Sequence, residues 1–173
     1  MSPSELEQRF HKHYTDATGP VARRNAIAIA MMELEDPALS RIAKRFSAAD
    51  EPIFLTAYQA FILWLLVYSL HSHLPASELQ EVTIGVKSKF ATFAYHKPSI
   101  FERIWEHIQD LMPIALRGGS QTGVVYPLPH IIQAAIFAGY QLPMLVDHEF
   151  GMHVLSVMHR VAYTLGSDAN PKT

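Results

Sequence analysis

The chain has 173 residues, which is the size of one domain and enough to bury a hydrophobic core. Its net charge is −2, so it lacks the positive excess that marks nucleic-acid-binding proteins. It contains no cysteine, which excludes disulfides, thiolate catalysis and zinc–thiolate sites.

The N-terminal segment, MSPSELEQRFHKH, is polar and has no apolar stretch of the kind found in signal peptides. We therefore expect a cytoplasmic protein. Ser2, Pro3 and Glu5 form the N-cap, first-turn proline and capping-box pattern that begins a helix. We expect residues 1–173 to form a single domain, with a disordered tail at 167–173.

Proline recurs along the chain at positions that suit helix starts, because the N–H it lacks would be unpaired in the first turn. Glycine can end a helix by adopting a left-handed conformation. No stretch shows the period-two alternation of a strand followed by a hairpin turn. The pattern predicts an all-α fold of seven to eight helices, with one long loop at 117–129. Beyond Pro3, the predicted starts are Pro20, Pro37, Pro52, Pro75, Pro98, Pro129 and Pro143, and the predicted ends are Gly118, Gly139 and Gly166.

The segment 53–70, IFLTAYQAFILWLLVYSL, is apolar on every side of a helix and lies in a charge-free run from 52 to 77. Such a helix is either the centre of a core or a membrane span. The other predicted helices have one apolar stripe and one polar face, so we predict a bundle or array of helices around 53–70. A span is the alternative, because eighteen residues lie within the roughly 17–25 that a bilayer needs.

The aromatic side chains of the central helix are the natural lining of an apolar pocket. Together with one isolated histidine they are our candidate ligand-binding residues, which are Tyr58, Trp64, Tyr68 and His130. The chain has no Walker loop, dinucleotide fingerprint or nucleophile elbow. No cofactor is indicated, and the catalytic residues, if any, are unknown.

Two acidic stripes offer candidate metal ligands. Glu149 and His153 are four residues apart on the last helix, about 6 Å from each other on one face. Glu102 and Glu106 have the same spacing on another helix, next to His107. Each stripe lies opposite the apolar stripe of its own helix, so we prefer solvated or salt-bridged faces to a metal site built from the four residues.

The run from 118 to 146 also lacks charged residues, and the centres of protein interfaces are depleted of charge. We therefore expect a homo-oligomer. A segment at 38–46 has the spacing of a helix-turn-helix, but the helix after it is apolar and has few side chains for base edges. We expect no nucleic-acid partner.

These observations favour a non-enzymatic regulatory, adaptor or ligand-sensing domain that binds a protein or a small apolar ligand. One alternative is a histidine- and carboxylate-based metal- or haem-binding protein or enzyme. The other is a membrane-associated helical protein.

Overall fold

The computed structural model describes residues 20–71, 74–122, 127–144 and 148–165. Every helix or strand in these ranges is an α-helix, which confirms the predicted fold class. The predicted helix at Pro3 and the predicted tail at 167–173 lie outside the described residues. The helices are α1 (Pro20–Leu34), α2 (Pro37–Ala43), α3 (Glu51–Leu70), α4 (Ala76–Phe90), α5 (Pro98–Thr122), α6 (Pro127–Phe137) and α7 (His148–Leu165).

Most predicted helix starts are confirmed, because they depend on local chemistry. Asp36 is the N-cap of α2, and its Oδ1 accepts a hydrogen bond of 2.9 Å from the Ala38 N–H. This bond satisfies one of the free donors of the first turn. The predicted prolines that lie at, or next to, the first residue of an observed helix are Pro20, Pro37, Pro52, Pro75 and Pro98.

Some predicted boundaries are wrong. α5 continues past Gly118 to Thr122 and α6 begins at Pro127, so the predicted loop at 117–129 is wrong for 117–122 and 127–129, and its remaining residues lie outside the described ranges. Gly139, with φ +102°, is the only residue of the described ranges with a positive φ, and α6 ends beside it. Gly118 does not adopt the left-handed conformation that would end a helix.

The predicted starts in the last third of the chain are shifted. α6 begins at Pro127, so Pro129 lies within its first turn. Pro143 begins no helix, because residues 140–144 are non-helical and α7 starts at His148. Within this segment Leu142 is buried and belongs to the hydrophobic core.

α3 is the centre of the structure, as predicted. It packs against all six other described helices, and every residue from 56 to 66 is buried. α3 is also the one described helix that is long and apolar enough to cross a membrane. However, 78% of its apolar window is buried inside the protein, as in the core helix of a globular fold.

The start of α7 is held beside the start of α3 by the segment that joins α2 to α3. The Arg45 guanidinium carbon lies 4.1 Å from the centroid of the Phe150 ring, and Arg45 Nη2 lies 3.3 Å from Glu149 Oε2. The Phe46 ring stacks on Phe54, with 4.5 Å between centroids. These contacts fix the position of α7 along the axis of α3. They thereby position the α7 side chains that face α1.

Candidate functional site

Polar side chains from α1, α3, α7 and the N-cap of α2 interact at the edge of the core. We refer to them as the Glu33 cluster, which consists of Glu33, Asp36, Tyr58, His153 and Arg160. Glu33 and Arg160 are joined by hydrogen bonds, and the charges of Glu33, Asp36 and Arg160 all act on both Tyr58 and His153. The cluster therefore combines two carboxylates, a guanidinium, a phenol and an imidazole, of which Tyr58 and Glu33 are buried and the other three are half-buried.

Glu33 and Arg160 form a bidentate ion pair. Arg160 Nε donates to Glu33 Oε1 at 3.0 Å, and Arg160 Nη2 donates to Glu33 Oε2 at 2.9 Å. Glu33 is 7% exposed, whereas the side chain of Arg160 is 40% exposed. The hydrogen bonds to Glu33 raise the pKa of Arg160, although partial burial opposes this. The pair links the C-terminal end of α1 to α7, and it uses both Nε and Nη2 of the Arg160 guanidinium.

Tyr58 is wholly buried, and its Oη has no hydrogen-bond partner among the described residues. Burial raises the pKa of Tyr58, the charge of Glu33 raises it further, and the charge of Arg160 opposes both. The phenol therefore keeps its proton at neutral pH and can donate a hydrogen bond. A buried hydroxyl without a partner costs about 1–3 kcal/mol, so this atom needs an explanation.

His153 is half-buried, and its Nε2 also has no hydrogen-bond partner in the described part of the chain. Burial lowers the pKa of His153, while the negative charge of Asp36 opposes that shift. Arg160 and Arg41 add to the lowering. The imidazole is therefore biased towards its neutral form, in which Nε2 is either a donor or an acceptor.

The four candidate metal ligands lie on two separate helices. Glu149 is exposed and paired with Arg45, whereas its neighbour His153 belongs to the Glu33 cluster. Glu102 Oε1 lies 2.9 Å from Lys87 Nζ. Glu106 is exposed on α5. Within the described residues no three His, Asp or Glu side chains are arranged to hold a metal ion.

Metal binding by Glu149 and His153 stays a prediction with a direct test. Two ligands one turn apart leave a tetrahedral or octahedral shell incomplete. Isothermal titration with zinc and cobalt would support a site if saturable binding tighter than about 10 μM disappeared in His153→Ala.

The candidate ligand-binding residues fall in three places. Tyr58 lies in the Glu33 cluster. The Trp64 and Tyr68 rings stack on each other with 5.0 Å between centroids, and Tyr68 is 43% exposed. Trp64 and Tyr68 follow Tyr58 by six and ten residues, so they lie about 9 and 15 Å from it along the helix axis. His130 is half-buried near the start of α6.

A second polar network among the described residues consists of Gln59, Tyr95 and His96. The Gln59 side chain is wholly buried, and its Oε1 lies 2.7 Å from His96 Nδ1. Gln59 Nε2 and Tyr95 Oη lack well-formed bonds to the described residues. Burial raises the pKa of Tyr95 and the Gln59 side chain lowers it in part, so the two side chains are close to each other.

The sequence analysis missed Glu33, Asp36 and Arg160. One signal was available for Glu33, which lies four residues after Ile29 and three residues after Ala30. A carboxylate on the apolar stripe of a helix indicates a buried partner. Nothing local identified Arg160 as that partner, because it lies 127 residues further along the chain.

Comparison of the chain with protein-family models, curated proteins and solved structures finds no match.

Proposed function

We propose that the chain is a non-enzymatic, ligand-sensing helical protein whose ligand binds at the Glu33 cluster. The observation that carries the proposal is the Tyr58 hydroxyl, which is wholly buried in the central helix and has no hydrogen-bond partner among the described residues. Phenylalanine at this position would fill the same space without the cost of an unpaired hydroxyl. A bound molecule that accepts a hydrogen bond would account for the tyrosine.

The surroundings of Tyr58 define the class of ligand. Its ring lies between Phe54 and Phe61, at centroid distances of 6.1 and 5.5 Å. Ligand sites of this kind are mostly apolar with a few polar groups that fix orientation. The matching ligand is a small, mainly apolar molecule with one hydrogen-bond acceptor for Tyr58 and one polar atom for His153 Nε2.

The state of the polar groups supports binding over catalysis. Burial raises the pKa of Tyr58, which disfavours the phenolate that a general base would need. Both carboxylate oxygens of Glu33 are engaged by Arg160. Proton transfer through Glu33 would disrupt this ion pair, whereas a ligand hydrogen-bonded to Tyr58 would disrupt no bond between described residues.

The test compares protein as purified with protein that has been unfolded, dialysed and refolded in plain buffer. We expect the wild type to melt at a higher temperature before this treatment, because a bound ligand stabilises the folded state. Tyr58→Phe should remove that difference and melt above the refolded wild type, because the unpaired hydroxyl is gone. Mass spectrometry under native and denaturing conditions would then give the mass of the ligand.

Tyr68→Phe is the matched control, because it makes the same chemical change on the same helix at a 43% exposed side chain. It should leave the melting temperatures of both preparations unchanged. An ordered water on the Tyr58 hydroxyl predicts a different result, in which Tyr58→Phe destabilises both preparations by about 1 kcal/mol. That outcome would overturn the ligand proposal.

A further inference from the structure

One face of α5 lies outside the core and carries a row of apolar, charged and imidazole side chains. With about 100° of rotation per residue, Ile100, Arg103, His107, Asp110 and Ile114 fall within a sector of about 80°. The order along the helix is therefore apolar, positive, imidazole, negative and apolar. We refer to these five residues as the α5 stripe.

The α5 stripe is accessible. Ile114 is 51% exposed, Arg103 and Asp110 are exposed, and Ile100 and His107 are half-buried. The core side of α5 is a different face, formed by Phe101, Ile104, Ile108 and Met112.

An exposed aromatic residue of α6 lies beside the middle of the α5 stripe. The Phe137 ring contacts His107 edge to face, with 6.1 Å between centroids, and Phe137 is 55% exposed. Phe137 belongs to the charge-free run 118–146. An exposed aromatic ring is typical of the centre of an interface.

The charges of the α5 stripe form no ion pair within the part of the chain that the structure describes. Neither Arg103 nor Asp110 forms an ion pair with another described residue. They lie four residues before and three residues after His107. The two isoleucines are therefore equidistant from His107, and the two charges, which are opposite in sign, are equidistant to within one residue.

We propose that the α5 stripe binds the α5 stripe of a second copy of this chain, antiparallel, about a two-fold axis at His107. In this arrangement Arg103 of each copy lies within one residue of the position opposite Asp110 of the other copy. Ile100 of each copy lies opposite Ile114 of the other, since each is seven residues from His107. The two Phe137 rings fill the centre.

The α5 stripe is complementary to itself, which favours a second copy of this chain as the partner. A two-fold interface brings the same patch together from both subunits, so every charge must find its opposite elsewhere in that patch. A stripe of one charge sign would repel its own copy, whereas this stripe forms two ion pairs and two apolar contacts over about 21 Å. The proposal goes beyond ligand sensing and does not depend on it.

Charge reversal tests the proposal by analytical ultracentrifugation. We expect wild-type dimers at about 100 μM, and a dissociation constant raised about 10- to 100-fold in Arg103→Asp and in Asp110→Arg, which place like charges together. Mixing the two variants should give a heterodimer, because each then supplies the charge the other needs. The double variant R103D/D110R should form homodimers again.

The matched control is Glu81→Arg, a charge reversal at an exposed position of α4 that should leave association unchanged. A wild type that is monomeric at about 100 μM would overturn the proposal, as would single variants that associate like the wild type. A dimer that loses affinity in both single variants but does not form in their mixture would overturn the antiparallel arrangement.

The absence of cysteine allows a second test that reports geometry. His107→Cys places one thiol per chain at the proposed axis, and we expect a disulfide-linked dimer after mild oxidation. Ile84→Cys, at a 60% exposed position of α4, is the control and should remain monomeric on a non-reducing gel. Equal cross-linking of the two variants would indicate random collision.

Discussion

Glu33 is a carboxylate on the buried side of α1, and its stability contribution depends on Arg160. Removing the guanidinium with Arg160→Met leaves an unpaired carboxylate that is 7% exposed. We expect this variant to lose about 1–3 kcal/mol of unfolding free energy in urea. The range lies below that of a fully buried pair because solvent reaches the 40% exposed side chain of Arg160 and screens the interaction.

Two further variants show whether the loss comes from the buried charge. Glu149→Gln breaks the exposed pair with Arg45, whose side chains are 44% and 69% exposed, and should cost less than about 1 kcal/mol. The double variant E33M/R160M should recover part of the loss, because no unpaired charge then remains in the core. An Arg160→Met loss no larger than that of Glu149→Gln would contradict a structural role for the pair.

His96 should make the stability of the protein depend on pH. Burial lowers the pKa of His96 below its ordinary value of 6.5, and the charge of Glu102 opposes that shift only in part. Below pH 6.5 the unfolded chain therefore binds more protons than the folded chain, so stability rises with pH. The stabilisation is present above the unfolded pKa and is lost as the pH falls through the folded pKa.

We expect the unfolding free energy of the wild type to fall between about pH 7.5 and about pH 5.5. His153, whose pKa is lowered by burial, contributes in the same direction. His96→Asn keeps an N–H donor near Gln59 without a titrating ring, so it should reduce the slope. Urea titrations across this range measure the slope, and equal slopes in both proteins would show that His96 titrates normally.

At the residue scale, the sequence pattern identified individual candidates but not their partners. Tyr58 was predicted as a ligand residue from its place among the aromatic side chains of α3. Glu33 and Arg160 were not identified, because an ion pair between helices leaves no periodic signal in either segment. Only the packing of α1 against α3 and of α7 against α3 brings the two side chains within hydrogen-bonding distance.

At the element scale, α3 carries much of the stability, and two of its residues test this. Phe61 is fully buried and Leu65 is 3% exposed. Replacing either by Ala should cost about 2–5 kcal/mol, because it removes apolar contacts and leaves a cavity. Ile84→Ala, at a 60% exposed side chain of α4, should cost less than about 0.5 kcal/mol. Equal losses in chemical denaturation would show that α3 is not the core helix.

Element boundaries were predictable where a local rule decides them. The Asp36–Pro37 pair combines an N-cap with a first-turn proline, and α2 begins there. Gly139 adopts a positive φ, and α6 ends there. The predicted helix end at Gly118 was wrong, because glycine also fits a right-handed helix. α5 continues through Gly118 and packs against α6. A cost of about 1 kcal/mol for glycine within a helix is one that packing can offset.

At the scale of the whole molecule, the fold was predictable because one segment differs from all the others. A helix that is apolar on every side must be enclosed by its neighbours, and α3 is enclosed by all six other described helices. The orientation of those neighbours was not predictable, because amphipathic patterns show which face of a helix is buried but not which helix lies against it. The Glu33 cluster depends on that orientation.

Association through the α5 stripe makes one further prediction about the whole molecule. If folded chains pair and unfolded chains do not, raising the protein concentration stabilises the folded state by mass action. The melting temperature of the wild type should rise by about 1–3 °C per tenfold increase above the dissociation constant, given the usual entropy of unfolding for a chain of this size. Arg103→Asp should show a smaller rise over the same range, and mixing it with Asp110→Arg should restore the dependence. Scanning calorimetry at several concentrations measures this directly, and a wild-type melting temperature that stays constant as the concentration increases would rule out a dimer linked to folding.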